Sequence, residues 1–561
     1  MEVTRLEIEN FRGIEALTID LGPSTVLIGA NNVGKTSILR ALDFVLGRQA
    51  GRGGRISDYD HRREGEDRDL PAGHQVTITA TFIEAEEGQW DPSAARALND
   101  VIQLDDDERR TIVARLRDSY DAKTREFDTE FKFLNLQGDE LIRTPVRELR
   151  SFVPAFYLSA ERRASSDFSG GARFWAPFLR DPTLDDDVRK KLEANLRKVG
   201  DEVTEASPDL VSLRESMEGT KGMIDLKMDD PVSLEPLATR LPELLRRTEV
   251  RLTTPNGASV PLDRHGGGAQ NVAVLYLFQA YLAAALSGEY EESASPVLAL
   301  EEPEAHLHPA ATSSAWKVLA KMKGQKIVAT HSGELLSMVP LSNIRRIART
   351  DAGIEVRRVR AGTLDKDEER KIDFHIRRAR GELLFGDVWL LGEGESEYWV
   401  LTGAAEALGI NLEQEGVRIV ECLAQSGGPK PLIKVADDLG IAWHCMVDGD
   451  GAGEKFANAV RKLLGNRDQD DHLTVLKYER LEHLLCEEGF GEIYEAELNK
   501  EELKDIPPLG SDDHWAGVAK KIKGKRKVRA AVEVADRMRA EEIPVPPTLR
   551  GILQAALKLT P

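Results

Sequence analysis

The feature that most restricts the fold is Gly29–Thr36, GANNVGKT, set between the apolar run Thr25–Ile28 and the helix-patterned stretch Ser37–Leu46. A turn spaced G-x-x-x-x-G-K-T that joins a strand to a helix commits this part of the chain to an α/β sheet. Its glycines let backbone N–H groups wrap phosphates at the helix N-terminus. Lys35 adds a cation for the β and γ oxygens, and the Thr36 hydroxyl is a candidate ligand for Mg²⁺. Asn31, Gly34, Lys35, Thr36 and Ser37 are therefore candidate nucleotide-binding residues.

At 561 residues the chain is long enough for about three or four folding units at roughly 150 residues each. It is 41% hydrophobic and 31% charged, which supplies apolar surface for cores and lies far from a disordered composition. Cys422, Cys445 and Cys486 are widely spaced, so neither a disulfide framework nor a zinc ribbon is readable and a reducing cytoplasm is expected. The start MEVTRLEIENFRG carries charges where a signal peptide is apolar, and the run Val272–Leu286 falls short of a membrane span and reads as a buried helix. A formal charge of −20 disfavours indiscriminate attraction to DNA, so any nucleic-acid contact must be local. Lys520–Arg529, KKIKGKRKVR, is one such place, although a basic run is equally compatible with a solvated helix face.

Strand-like runs recur at the N-terminus, at Val76–Phe82 and at Ala155–Ala160, followed by a charged, largely helical segment. The pattern predicts a first ATPase piece over 1–163, a helical insertion over 164–255, and a second ATPase piece over 256–380. A small parallel α/β domain with a basic helical tail is expected over 381–561.

Val297–Glu302, VLALEE, is an apolar strand ending in carboxylates, with glutamate where aspartate is usual. Glu301 is expected to hold the metal and Glu302 to polarise the attacking water. Several further segments resemble the ABC-type ATPase class in its SMC and RecF branch. Gly266–Gln270, GGGAQ, resembles the signature loop, which implies that Gly267 and Gly268 cap a nucleotide held by a second copy. Pro303–Pro309 resembles the segment after the carboxylates, His331 in IVATHS a γ-phosphate sensor, and Asn10–Gly13 the first hairpin, which implies that Arg12 reaches the nucleotide. The glutamine of the middle loop is not assignable.

In the C-terminal part, GEGESE follows the strand Asp387–Leu391 and places Glu393 and Glu397 one helical turn apart. DGDGAG follows a later strand and brings Asp448 and Asp450. The carboxyl ends of parallel strands share one edge, so these acids should converge there, and their repulsion demands a counter-cation. Glu482 is a fifth candidate or an exposed helix residue. Five acids suit two divalent ions, one activating water and one stabilising a leaving 3′ oxygen. Ser426 is a weak candidate contact, and either Lys525 or Lys527 could neutralise the scissile phosphate.

The E-x-x-x-E and D-x-D spacings on this strand order resemble the Toprim domain. The whole succession, GANNVGKT, VLALEEPEAHLHP, VATHS, GEGESE and VDGDGAG, resembles an OLD-family (overcoming lysogenisation defect) endonuclease. The resemblance implies an ABC-type ATPase with a Toprim nuclease domain, ATP and Mg²⁺ or Mn²⁺ as cofactors, and DNA as substrate. It also implies a homodimer joined through the 164–255 insertion and the ATPase heads, and a role in phage defence; a helicase-type helper protein is a candidate partner, and from the apolar runs no membrane contact is expected. Two other readings stay open: a RecF-like DNA-binding repair ATPase that does not cut, and a topoisomerase-like enzyme. No tyrosine nucleophile on a companion domain is evident for the latter.

Overall fold

The computed structural model describes residues 1–47, 56–63, 70–71, 73–124, 126–160, 185–218, 238, 240, 243, 250–253, 257–288, 290–351, 353–379, 381–422 and 428–561. Two six-stranded sheets build the N-terminal part, beside a two-stranded ribbon of Arg251–Thr253 and Ser259–Pro261. The first is mixed: β1 (Ser24–Ile28), β2 (Ala155–Leu158), β3 (Val297–Glu301), β4 (Gln325–Ala329), β5 (Ile344–Thr350) and β6 (Gly353–Arg357) lie in the order β6-β5-β1-β4-β3-β2. All neighbours are parallel except β5 and β6. Strands β1 to β4 are almost wholly buried, as runs such as VLALE require when both faces are covered.

The second sheet is antiparallel, running Ile14–Asp20, Arg5–Phe11, Gln75–Ile83 and Arg110–Asp121, with Glu126–Leu134 also on the last strand. The hairpin Arg110–Leu134 is not expected from sequence. In RTIVARLRDSYD, arginines interleave with buried Ile112, Ala114 and Leu116, so its mean hydropathy hides a half-buried strand.

The helix α1 (Lys35–Leu46) leaves β1 through the glycine turn and buries Ile38, Leu39, Ala41, Leu42, Val45 and Leu46 between the two sheets. Gly29, at φ 146°, can only be glycine, because a Cβ there would lie 2.2 Å from the Ile347 carbonyl oxygen. Within the expected insertion, the described residues form helices Asp186–Ala206 and Pro208–Glu218.

The apolar helix α2 (Gly267–Gly288) is longer than its sequence run suggested, and by length and composition it could cross a membrane. It is not wholly buried: Val274, Leu275, Phe278, Leu282 and Ala285 enter the core, while Tyr276 is 55% exposed.

The C-terminal part is a fully parallel sheet, β7 (Val388–Gly392), β8 (Val417–Glu421), β9 (Ala442–Val447) and β10 (Leu473–Val475), in the order β8-β7-β9-β10. The chain moves from β7 outward to β8 and then to the other side of β7. This reversal opens a crevice at the carboxyl ends of β7 and β9. The two parts share a core, and the buried Arg346 of β5 donates to Asp387 Oδ1 at 2.7 Å and to the Gly440 carbonyl at 3.1 Å. The fold thus keeps the expected order, a P-loop α/β part followed by a small parallel α/β part.

Candidate functional site

Two acidic sites stand at the carboxyl ends of the two parallel arrays. In the first, Asn31, Gly34, Lys35, Thr36 and Ser37 line one cavity with Glu301, Glu302 and His331. The Lys35 ammonium donates to the carbonyls of Gly29 and Ala30, both at 2.8 Å. Burial pulls its pKa down to about 8, against the pull of Glu302 and Glu301. The Thr36 hydroxyl donates to Glu301 Oε1 and the Tyr157 hydroxyl to Glu301 Oε2. Burial, then Glu301, raises the Tyr157 phenol above its ordinary range.

Glu302 adopts a left-handed backbone conformation, φ 45°, which is uncommon outside glycine and typical of functional turns. His331 Nε2 lies 3.7 Å from Glu302 Oε1, and burial with the nearby Lys35 lowers the imidazole pKa.

Arg12 also has a left-handed φ, 54°, and its guanidinium donates to Asp60 Oδ1 at 2.8 Å. Gly267 and Gly268 open α2 as expected, but they pack against His306 and do not line their own chain's cavity. Thr36 and Glu301 offer oxygen donors beside a phosphate-shaped turn, a donor set that fits Mg²⁺.

The second site lies in the crevice between β7 and β9. Glu393 follows β7, and Glu397 sits in the first turn of α3 (Glu395–Ala407), 2% exposed. Asp448 follows β9 at 8% exposure. Its own N–H donates to Glu393 Oε1 at 3.3 Å, and its Oδ1 accepts the Leu481 N–H at 3.0 Å. Asp450 caps the helix α4 (Gly451–Arg461), accepting from the N–H groups of Ala452 at 2.9 Å and Gly453 at 2.7 Å. Gly449 between the two aspartates has no room for a side chain, since a Cβ would come within 2.5 Å of the Leu476 and Tyr478 carbonyl oxygens.

Glu482, on the short helix α5 (Leu481–Leu485), is 1% exposed, which removes the solvent-facing alternative. Lys527 Nζ stands 2.8 Å from Glu482 Oε1, an ion pair within hydrogen-bond reach. Lys527 is delivered by α6 (Lys525–Arg539), which crosses α3 so closely that a Cβ on Gly403 would sit 2.4 Å from that of Ala535.

The electrostatics record this crowding. Burial, then Glu393, Glu397 and Glu482, push Asp448 up to about 8 against the pull of Lys527. Burial likewise raises Glu393 and Glu397. Burial lowers Lys527, but Glu482 and Glu397 outweigh it and hold the ammonium above its usual value.

Among the described residues, no three His, Cys, Asp or Glu side chains are already gathered as a metal-holding group: Asp450 caps α4, and Lys527 pairs with Glu482. Part of the basic run is neutralised within the chain: Lys521 pairs with Asp505 and Arg526 with Glu502, at 2.8 and 2.7 Å, and Arg529 pairs with Glu497, while Lys520 and Lys523 are exposed. Lys527 reaches the cluster, whereas Lys525 is exposed at the helix start. Buried carboxylates this short of positive charge fit a hard divalent cation with oxygen ligands. Ser426 lies outside the described residues. Sequence reasoning missed Tyr157, Arg40 and Asp60; only the pairing of β2 with β3 shows that the end of AFYL faces VLALE.

A family model described as "Protein of unknown function (DUF2813)" matches residues 1–382, and one described as "Overcoming lysogenization defect protein-like, TOPRIM domain" matches residues 384–450. The chain belongs to the family of the first model and carries an OLD-like Toprim domain after it. It is 30% identical to "Uncharacterized protein YbjD" of Escherichia coli, over 95% of this chain and 94% of that protein. It is 24% identical to "OLD nuclease" of Thermus scotoductus, over 80% of this chain and 81% of that one. It is 23% identical to "Endonuclease GajA" of Bacillus cereus, over 83% and 78%. Among solved structures, the C-terminal region of the Burkholderia pseudomallei OLD protein aligns at 20% identity and a TM-score of 0.25, covering 32% of this chain and 100% of that one. A score that low carries no weight beside the sequence match.

Proposed function

We propose that this chain is an ATP-hydrolysing, divalent-metal-dependent DNA endonuclease. The observation that carries the reading is the burial of Glu393, Glu397, Asp448 and Glu482 around one ammonium, at the switch point of a Toprim sheet. The names of the Thermus and Bacillus relatives support the same activity.

At the nucleotide site the Gly29–Thr36 turn binds the phosphates, Thr36 and Glu301 would hold Mg²⁺, and Glu302 would orient water with His331 beside it. Arg12, braced by Asp60, faces the nucleotide, and Gly267 and Gly268 meet the nucleotide of a second copy. In this reading 1–163 and 256–380 form the ATPase, 164–255 the dimer contact, and 381–561 the nuclease.

At the Toprim edge Glu393, Glu397, Asp448, Asp450 and Glu482 would hold Mg²⁺ or Mn²⁺, which would supply Lewis acidity and an activated water for phosphodiester hydrolysis. The Leu481 N–H anchors Asp448 among these acids, and Lys527 would neutralise the phosphate charge. Defence against phage, with a helicase-type helper, fits such an enzyme.

The test is nicking of supercoiled plasmid by the full chain with ATP, in Mg²⁺, Mn²⁺ or chelator, with Asp448→Ala as control. Metal-dependent nicks lost in the variant support the reading. A plasmid left intact under every metal overturns it and leaves the RecF-like binding ATPase.

A further inference from the structure

Glu301 carries one methylene more than the aspartate usual at its position, and so one more rotatable bond to immobilise before its carboxylate can face a cation. The structure immobilises it from two sides. Thr36, at the start of α1, donates to Oε1, and Tyr157, at the end of β2, donates to Oε2. Tyr157 is 7% exposed, and its register beside Ala299 places its ring next to the strand that carries Glu301. The ring itself is clamped by the Arg40 guanidinium, 3.9 Å from its centroid. Arg40 is four residues after Thr36 on α1 and hence on the same face of that helix, so one helix face fixes both hydroxyls that hold the carboxylate.

We infer that Tyr157 is a positioning residue for metal capture at the nucleotide site: its hydroxyl orients Glu301 so that the oxygen shared with Thr36 faces the nucleotide-bound cation. Arg40 acts one step further out, by fixing the ring. The inference rests on the nucleotide reading above and adds a residue whose role is separable from phosphate binding, because Tyr157 does not line the phosphate cavity.

The test uses the full chain and two titrations. A fluorescent ATP analogue in chelator reads phosphate binding alone, and Mn²⁺ added to the ATP complex, followed by electron paramagnetic resonance, reads metal affinity. Tyr157→Phe should bind the analogue as wild type does and bind Mn²⁺ about tenfold more weakly, the scale set by loss of an outer partner of a metal ligand. In a Glu301→Asp background, whose shorter side chain no longer reaches the phenol, the same substitution should change Mn²⁺ affinity little. Unchanged Mn²⁺ affinity in Tyr157→Phe overturns the inference, as does equal weakening of both titrations, which marks general damage to the fold. A wild-type chain that binds no nucleotide overturns the nucleotide reading itself, and this inference with it.

Discussion

The two acidic sites solve the problem of buried negative charge in opposite ways. At the nucleotide site, Glu301 is held by two hydroxyls, and Glu302 has Lys35 and His331 near it, so the acids are oriented before any ligand arrives. At the Toprim edge the carboxylates of Glu393, Glu397, Asp448 and Glu482 share one ammonium, and the shortfall appears as an Asp448 pKa pushed up to about 8. The first site is ordered by hydrogen bonds and the second awaits charge. A cation should therefore do little for the architecture of the first and much for that of the second.

The largest effect expected concerns the preorganised site. Glu302→Gln should slow ATP hydrolysis by about 10²–10⁴, the contribution of a positioned base, while ATP binding survives. Single-turnover hydrolysis beside equilibrium binding separates the two, and equal loss of both would break the assignment. Lys35→Ala should weaken ATP binding by about 2 kcal/mol, the scale of hydrogen bonds to a charged partner, and leave thermal stability near wild type.

At the charge-poor site the signature is thermal. Lys527→Ala strands Glu482, so the metal-free protein should lose ~1–3 kcal/mol, between the values for surface and buried pairs. Millimolar Mg²⁺ should restore part of that Tm, and a variant as stable as wild type without metal would show that the ammonium is not the counter-charge.

The smallest effect is a pH dependence. Asp448 titrates near 8 when folded and near 3.8 when unfolded, so between these values the native state binds more protons and its stability falls as pH rises. Metal replaces those protons, so the Mg²⁺-induced rise in Tm should be larger at pH 8 than at pH 6. Asp448→Asn should flatten the difference.

Much of this was legible in the chain. The G-x-x-x-x-G-K-T turn, the strand ending in Glu301 and Glu302, and the D-x-D after β9 are local patterns, and local geometry places them. Asp450 shows the limit: spacing marks it as a candidate ligand, and only the structure shows that it is also an N-cap, its Oδ1 accepting the Ala452 and Gly453 N–H groups.

What the sequence by itself determined is therefore the chemistry available: a phosphate-binding turn, carboxylates at strand ends and a lysine-rich tail. Only the tertiary structure decided which of these groups meet. Tyr157 meets Glu301 because β2 pairs with β3 across 144 residues, and Lys527 meets Glu482 because α6 packs on α3 through Gly403 and Ala535. The physical reason is that burial and pairing are properties of neighbours in space, and a carboxylate's charge state depends on those neighbours far more than on its place in the chain.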